Sequence, residues 1–278
     1  NNLNHLKCTD IDTSEEWIDY LDFRDRSSYI DQVTSFRPDW LFHIGAHTDL
    51  EYCEKNPLEA YNTNTESVKI AVEIANSLSI PLLYISTAGI FSGSLEFFDE
   101  NDIPEPIGHY GRSKFLGEKY IISNSKDYLI CRAGWMMGGG LKKDKKFVAK
   151  IIKQILDGKK ELNIVNDKQG TPTYTIDFSK NVNHLIKNNK RGLYNMVCNG
   201  LTSRIDVAKK ILEILDLSNK IKINSVDSSF FSKSYFAQRP DNERLINKKL
   251  EEEGLNIMQD WEKSLTHYLK EHYLPISR

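Results

Sequence analysis

Tyr110 and Lys114 stand four residues apart in HYGRSK, a spacing that puts a phenol and an ammonium one turn apart on a helix face. The pair suits proton exchange with a carbonyl oxygen. A phenol with its free pKa of about 10 exchanges protons poorly at neutral pH, and an adjacent ammonium favours the phenolate and lowers that value. IPLLYIST (80–87) ends in Ser86 and Thr87, and a hydroxyl there can hydrogen-bond a substrate oxygen as charge develops on it. In a chain this rich in Tyr and Lys one such pair is expected by chance, so the spacing alone is uninformative. Its position is what carries weight. The pair opens a helix, follows a buried strand, and is separated from it by a loop holding Gly89, Gly93, Pro104 and Pro106.

The elements that must position these groups alternate short apolar runs with longer helical ones, the pattern of a parallel sheet with crossover helices. RPDWLFHIGAH (37–47) predicts a strand ending in Gly45 and Ala46, and Asn56-Pro57 predicts a helix start, with an apolar face reaching Leu78. IPLLYIST and YLICRAG (128–134) are apolar throughout, as strands covered on both faces are. Helices are expected over 110–123, 145–157, 175–188, 203–215 and 258–271, and strands over ELNIV (161–165) and GLYNMV (192–197).

The start of the chain departs from this scheme. A dinucleotide-binding fold opens with a strand and a glycine-rich turn whose N–H groups and helix dipole hold a pyrophosphate. No GxxGxxG-like run lies near the N-terminus, and HLKCTD (5–10) resembles a second strand, ending in Asp10 and Asp12. The expected fold is therefore α/β, a Rossmann-type doubly wound parallel sheet, with the first strand, turn and helix missing from the chain, about 30 residues. Residues 1–133 would form the nucleotide-binding region, with 175–200 returning to it. Residues 134–278 would form most of a smaller, interleaved α/β substrate region.

Composition narrows the partners. The 278 residues carry 37 basic and 39 acidic side chains, a balance that does not point to nucleic acid. Cys8, Cys53, Cys131 and Cys198 are widely spaced, and His43 and His47 lack a partner triad, so no metal site is expected. Reduced thiols imply a cytoplasmic setting. No apolar stretch reaches the roughly 20 residues that span a bilayer, and the polar start does not read as a signal peptide.

Several segments together resemble the dTDP-4-dehydrorhamnose reductase branch of the extended short-chain dehydrogenases/reductases. These are STAGIFSG, YGRSKFLGEKYI, CRAGW and NDKQGTPTYTIDF, in that order and spacing, with AHTDLEYCEKNPLEAYNTNT before them and RPDNERLINKKL after. The resemblance implies Tyr110 as catalytic acid, Lys114 as cofactor-binding lysine and Thr87 as catalytic hydroxyl. It also implies that Gly45, Ala46 and Thr48 lie along the cofactor, that Asn64 is structural, and that Trp135 sits near the nucleotide base of the substrate. The reaction implied is reduction of a keto group on a nucleotide-activated deoxysugar with NAD(P)H. Two features depart from the branch. Ala88 stands where it usually has an acid, leaving no carboxylate beside the site, and WMMGGG (135–140) alters the pocket wall.

Asp10, with Asp12 as alternate, ends the second strand, where an acid accepts hydrogen bonds from the adenosine ribose and repels a 2′-phosphate, favouring NAD over NADP. Asp22 and Phe23 stand where such folds contact adenine. A homodimer is compatible with this reading. Two other uses of the fold compete with it: epimerisation or dehydration of a nucleotide sugar through the same tyrosine, and a non-catalytic nucleotide-binding or regulatory relative.

Overall fold

The computed structural model describes residues 5–273; the outermost residues of the two expected regions, 1–4 and 274–278, lie outside the described residues. Four parallel strands form the main sheet, in the order Gly192–Asn195, Tyr128–Ala133, Leu82–Thr87 and Leu41–His43. Parallel neighbours cannot be joined by tight turns, so helices cross between them. Ser67–Leu78 precedes Leu82–Thr87, and His109–Asn124 precedes Tyr128–Ala133.

The apolar strands are apolar because both faces are covered. Leu82, Tyr84 and Ile130 point into one cluster with Val68, Ala71, Val72, Ala75 and Ile121 of the two crossover helices. Leu83, Leu129 and Cys131, one residue out of phase, point into the other. There they meet Phe178, Val182 and Leu185 of the helix Thr175–Lys187. That second cluster continues without a break through Val148 and Ile152 of Phe147–Leu156, Val207 and Ile211 of Arg204–Ile214, and Leu265 and Leu269 of Trp261–His272.

Beyond Ala133 the chain builds three small sheets. Trp135–Met137 pairs with Pro172–Tyr174, and Glu161–Val165 with Lys222–Val226. Gln169–Gly170 lies between Thr202–Ser203 and Asn242–Glu243.

Several elements differ from the sequence reading. The strand expected to reach Gly45 and Ala46 ends at His43, and both residues lie in the loop beyond it. Helix begins before Asn56, at Leu50–Lys55, where the Asp49 carboxylate caps the Tyr52 N–H at 2.9 Å. Asn56 makes no capping bond; its amide donates backwards to the Tyr52 carbonyl. Pro57–Tyr61 follows, then a π-helical turn at Asn62–Glu66 leading into Ser67–Leu78. HLKCTD contributes only Cys8–Asp10, paired in parallel with Ile18–Tyr20; among the described residues no ladder joins this pair to the main sheet. The strand at 192–197 stops at Asn195.

Candidate active site

Thr87 is the last residue of its strand, and its Oγ1 accepts the Gly89 N–H at 3.1 Å. With that lone pair taken, the hydroxyl proton is free to point outward, and a Cβ built on Gly89 would lie 3.5 Å from Thr87 Oγ1 and 3.6 Å from Tyr110 Cε1, so the two side chains are neighbours. Tyr110 is the second residue of His109–Asn124. The start of this helix has no capping side chain of its own, because the N-cap is Gly108. Glu54, from the helix Leu50–Lys55, supplies the cap, its carboxylate accepting the His109 N–H at 2.7 Å. Negative charge at a helix N-terminus is favourable as well as hydrogen-bonded.

Two glycines let this helix come close enough. A Cβ at Gly111 would run into the carbonyl oxygen of Gly89, and one at Gly117 would press on the Asn64 carbonyl and the Tyr84 hydroxyl. Asn64, fully buried in the π-helical turn, ties the same surfaces together. Its amide accepts from the His47 N–H at 2.8 Å and donates to the His47 carbonyl and to Ser113 Oγ, each at 3.0 Å. The loop after His43 is thus pinned to the helix that carries Tyr110 and Lys114.

The electrostatics differ from the sequence expectation. Burial pushes the Tyr110 phenol up to about 12, against the pull of the neighbouring Thr87 hydroxyl, and the nearby Glu243 carboxylate pushes it further the same way. Lys114 does not lower it here. The lysine is 4% exposed, and its Nζ lies 4.0 Å from the centre of the Tyr84 ring, where burial draws its own pKa down to about 7 despite the neighbouring Glu118. Glu118 itself is engaged: both its oxygens accept from the Arg132 guanidinium, in a pair shielded from water. Among the described residues Lys114 Nζ donates no hydrogen bond. A cationic donor left open on a buried helix face is what a ribose diol needs, so this residue fits the cofactor its position implies.

Of the other residues expected along the cofactor, the structure brings Phe23 and Gly45 together. Phe23 lies so close to Gly45 that any side chain there would collide with its ring, and it meets His43 edge-on at 5.0 Å. Ala46 follows in the same loop. Asp22 is chelated by the Arg24 guanidinium, which holds its carboxyl below the usual carboxylate range. Asp10 is exposed, and its carboxylate accepts the Asp12 N–H. Thr48 Oγ1 accepts from Lys146 Nζ at 2.9 Å. His43 is buried between Tyr29 and Ser67, with burial drawing its pKa down to about 3, so it is a neutral packing group. Among the described residues no cluster of His, Cys, Asp or Glu could hold a metal ion, and no helix is long and apolar enough to cross a membrane.

Trp135 opens the short strand Trp135–Met137 and meets two residues the sequence did not single out. Trp135 Nε1 donates to Glu243 Oε2 at 2.8 Å, and the Arg204 guanidinium stacks 3.6 Å over the indole, between it and Phe147. Burial lowers the Arg204 pKa to about 10, yet it stays a cation at neutral pH. Glu243 lies in RPDNERLINKKL, a segment visible as a motif but with no internal sign of which acid turns inward.

The family described as the RmlD substrate binding domain matches residues 4–274. The dTDP-4-dehydrorhamnose reductase of Escherichia coli K12 is 28% identical over 260 residues, covering 90% of this chain and 85% of the relative. The crystal structure of the Bacillus anthracis dTDP-4-dehydrorhamnose reductase, in complex with NADP, superposes with a TM-score of 0.84 at 28% identity, covering 92% and 91% of the two chains. Bordetella bronchiseptica WbmG in complex with NAD, at 16% identity, TM-score 0.76 and coverage of 92% and 79%, shares the fold alone.

Proposed function

We propose, from the premise that this chain belongs to the RmlD substrate binding domain family, that it is an NAD(P)-dependent reductase of a keto group on a nucleotide-activated deoxysugar of the dTDP-4-dehydrorhamnose type. The observation that carries the proposal is the approach of Thr87 Oγ1 and the Tyr110 ring edge to one point beside Gly89, with Lys114 one helical turn further along. The nicotinamide cofactor supplies hydride when bound. Everything else is the chain's own work. Tyr110 gives its proton to the carbonyl oxygen as that oxygen gains charge, and Thr87 Oγ donates a hydrogen bond to the same oxygen. Because burial keeps the phenol protonated throughout the neutral range, the tyrosine is poised as an acid, the form that reduction requires. Lys114 holds the ribose, Phe23 and Gly45 flank the cofactor, and Trp135 packs on the base of the substrate.

Asp10, exposed at the end of its strand, favours NAD over NADP through its charge near the ribose 2′ position. Steady-state reduction of dTDP-4-dehydrorhamnose with each cofactor, followed by loss of nicotinamide absorbance, tests both statements. The expected result is turnover, with a lower KM for NADH than for NADPH. Tight binding of NADH with no reduction of any keto-sugar nucleotide would sink the reductase reading in favour of a regulatory one.

A further inference from the structure

The position after Thr87 cannot bring an acid to the cleft. Ala88 is packed into an apolar cluster with Ile90, Phe91, Phe98, Val197 and Leu245. A carboxylate nevertheless arrives, from the far end of the chain. Glu243 closes the two-residue strand that pairs with Gln169–Gly170, and its Oε2 is fixed by the Trp135 indole. Its Oε1 turns toward the strand end. A Cβ built on Gly89 would lie 3.4 Å from Glu243 Oε1, 3.5 Å from Thr87 Oγ1 and 3.6 Å from Tyr110 Cε1, so the three groups ring one point.

The backbone on both sides of Glu243 is fixed for this purpose. The Asn242 amide donates to the carbonyls of Leu95 and Glu96 at 2.6 and 2.7 Å, and Arg244 Nε donates to the Thr202 carbonyl at 3.1 Å. The Arg204 guanidinium, stacked on the indole that holds Oε2, offsets the cost of keeping a half-buried carboxylate there. Oε1 itself accepts no hydrogen bond among the described residues. An anchored acid with one oxygen engaged and one open beside the reacting centre is an acceptor awaiting a donor.

We propose that Glu243 is a specificity-determining residue: Oε1 accepts a hydrogen bond from a sugar hydroxyl next to the reacting carbonyl and so selects sugars that carry one there. The proposal rests on the reductase reading. A charge-assisted hydrogen bond of this kind is roughly twice as strong as a neutral one. A site built to receive a hydroxyl also discriminates sharply against an analogue lacking it, because its own polar group is then left unpaired. The same negative charge helps to keep Tyr110 protonated.

The test compares Glu243→Gln, which keeps size and an acceptor but loses the charge, with Glu243→Ala, which loses both. Calorimetric titration of the cofactor-loaded protein with dTDP-rhamnose, the reduced nucleotide sugar, and with dTDP alone separates sugar contacts from nucleotide contacts. We expect Kd for dTDP-rhamnose to rise roughly tenfold or more in Glu243→Ala and less in Glu243→Gln, with Kd for dTDP unchanged. In turnover the KM for the keto sugar should rise with it, and the alkaline limb of kcat should move to lower pH in Glu243→Gln, since less charge holds the phenolic proton. Equal loss of dTDP and dTDP-rhamnose would overturn the proposal, leaving Glu243 as a mere prop for Trp135; so would wild-type affinity in both variants. A wild-type protein that shows the Glu243-dependent increment for the sugar yet reduces no keto sugar would defeat the reductase reading and leave this one standing.

Discussion

The two walls of the cleft are built in opposite ways. Thr87, Tyr110 and Lys114 come from one strand end and the first turns of the following helix, and their geometry is set by helical periodicity and local packing. Trp135, Arg204 and Glu243 come from chain segments far apart in sequence, gathered by ladders of two or three residues. The proposed function puts the chemistry on the local wall, and the proposed role of Glu243 puts sugar choice on the distant one. A local wall tolerates no change at a few positions because each is contacted by backbone. A wall assembled from distant side chains can be altered residue by residue while Thr87, Tyr110 and Lys114 stay in place, although a change of charge at Glu243 still reaches the Tyr110 phenol.

If that division is right, the largest single effect belongs to the phenolic oxygen. Tyr110→Phe keeps the ring and removes the proton donor, so kcat should fall by about 10² to 10⁴-fold, the range typical of lost general acid catalysis. KM for the keto sugar and the affinity for NADH should change little, because those contacts come from the other wall and from Lys114. Single-turnover reduction beside NADH fluorescence titration separates the two quantities. Comparable losses in kcat and in sugar affinity would show that the walls are not independent.

A smaller effect is expected where backbone meets backbone. On helix propensity alone Gly111→Ala should stabilise His109–Asn124 by about 1 kcal/mol. The Gly89 carbonyl occupies the space of the new methyl group, however, and forced overpacking of that kind costs about 1–3 kcal/mol. Steric cost should win: thermal unfolding should occur at lower temperature, and kcat should drop as Tyr110 is pushed off the turn that carries Thr87. A rise in Tm would mean that the local wall is looser than its glycines imply.

The same contrast explains what could be read from the sequence. The strands at 82–87 and 128–133 were legible because both faces are apolar, and the catalytic helix because a Tyr-Lys spacing opens it after a glycine- and proline-bearing loop. The helix Leu50–Lys55 was missed, being six residues of mixed polarity, although it supplies the Glu54 cap of the catalytic helix. Arg204 and Glu243 were missed for a different reason. Nothing local distinguishes an acid in a charged segment from its solvated neighbours; only the pairing of Asn242–Glu243 with Gln169–Gly170 turns it inward. The expected pull of Lys114 on Tyr110 is a local argument too, and burial of the phenol, which pushes it up to about 12, outweighs it.

The smallest effect concerns the charge of Lys114, and its sign is informative. Burial draws the folded-state pKa from 10.5 to about 7. Between those values the folded protein binds fewer protons at this site than the unfolded chain does, so the site's contribution to stability rises with pH through that window. Below the folded value the amine is charged in both states, and the folded state bears the full cost of a buried cation. Lys114→Met, of similar length and without charge, removes that cost while abolishing the ribose contact. The variant should therefore be inactive yet melt above the wild type at about pH 6, with the difference shrinking as pH rises from about 7 toward 10.5, where the wild-type lysine is neutral in the fold while the unfolded chain still holds much of its proton. Thermal unfolding of both proteins across that range, without cofactor, measures it directly. A pH-independent difference would mean that Glu118 and the Tyr84 ring already compensate the buried ammonium. Saturating NADH should then raise the wild-type Tm more than that of the variant, because only the wild type has the amine that holds the ribose.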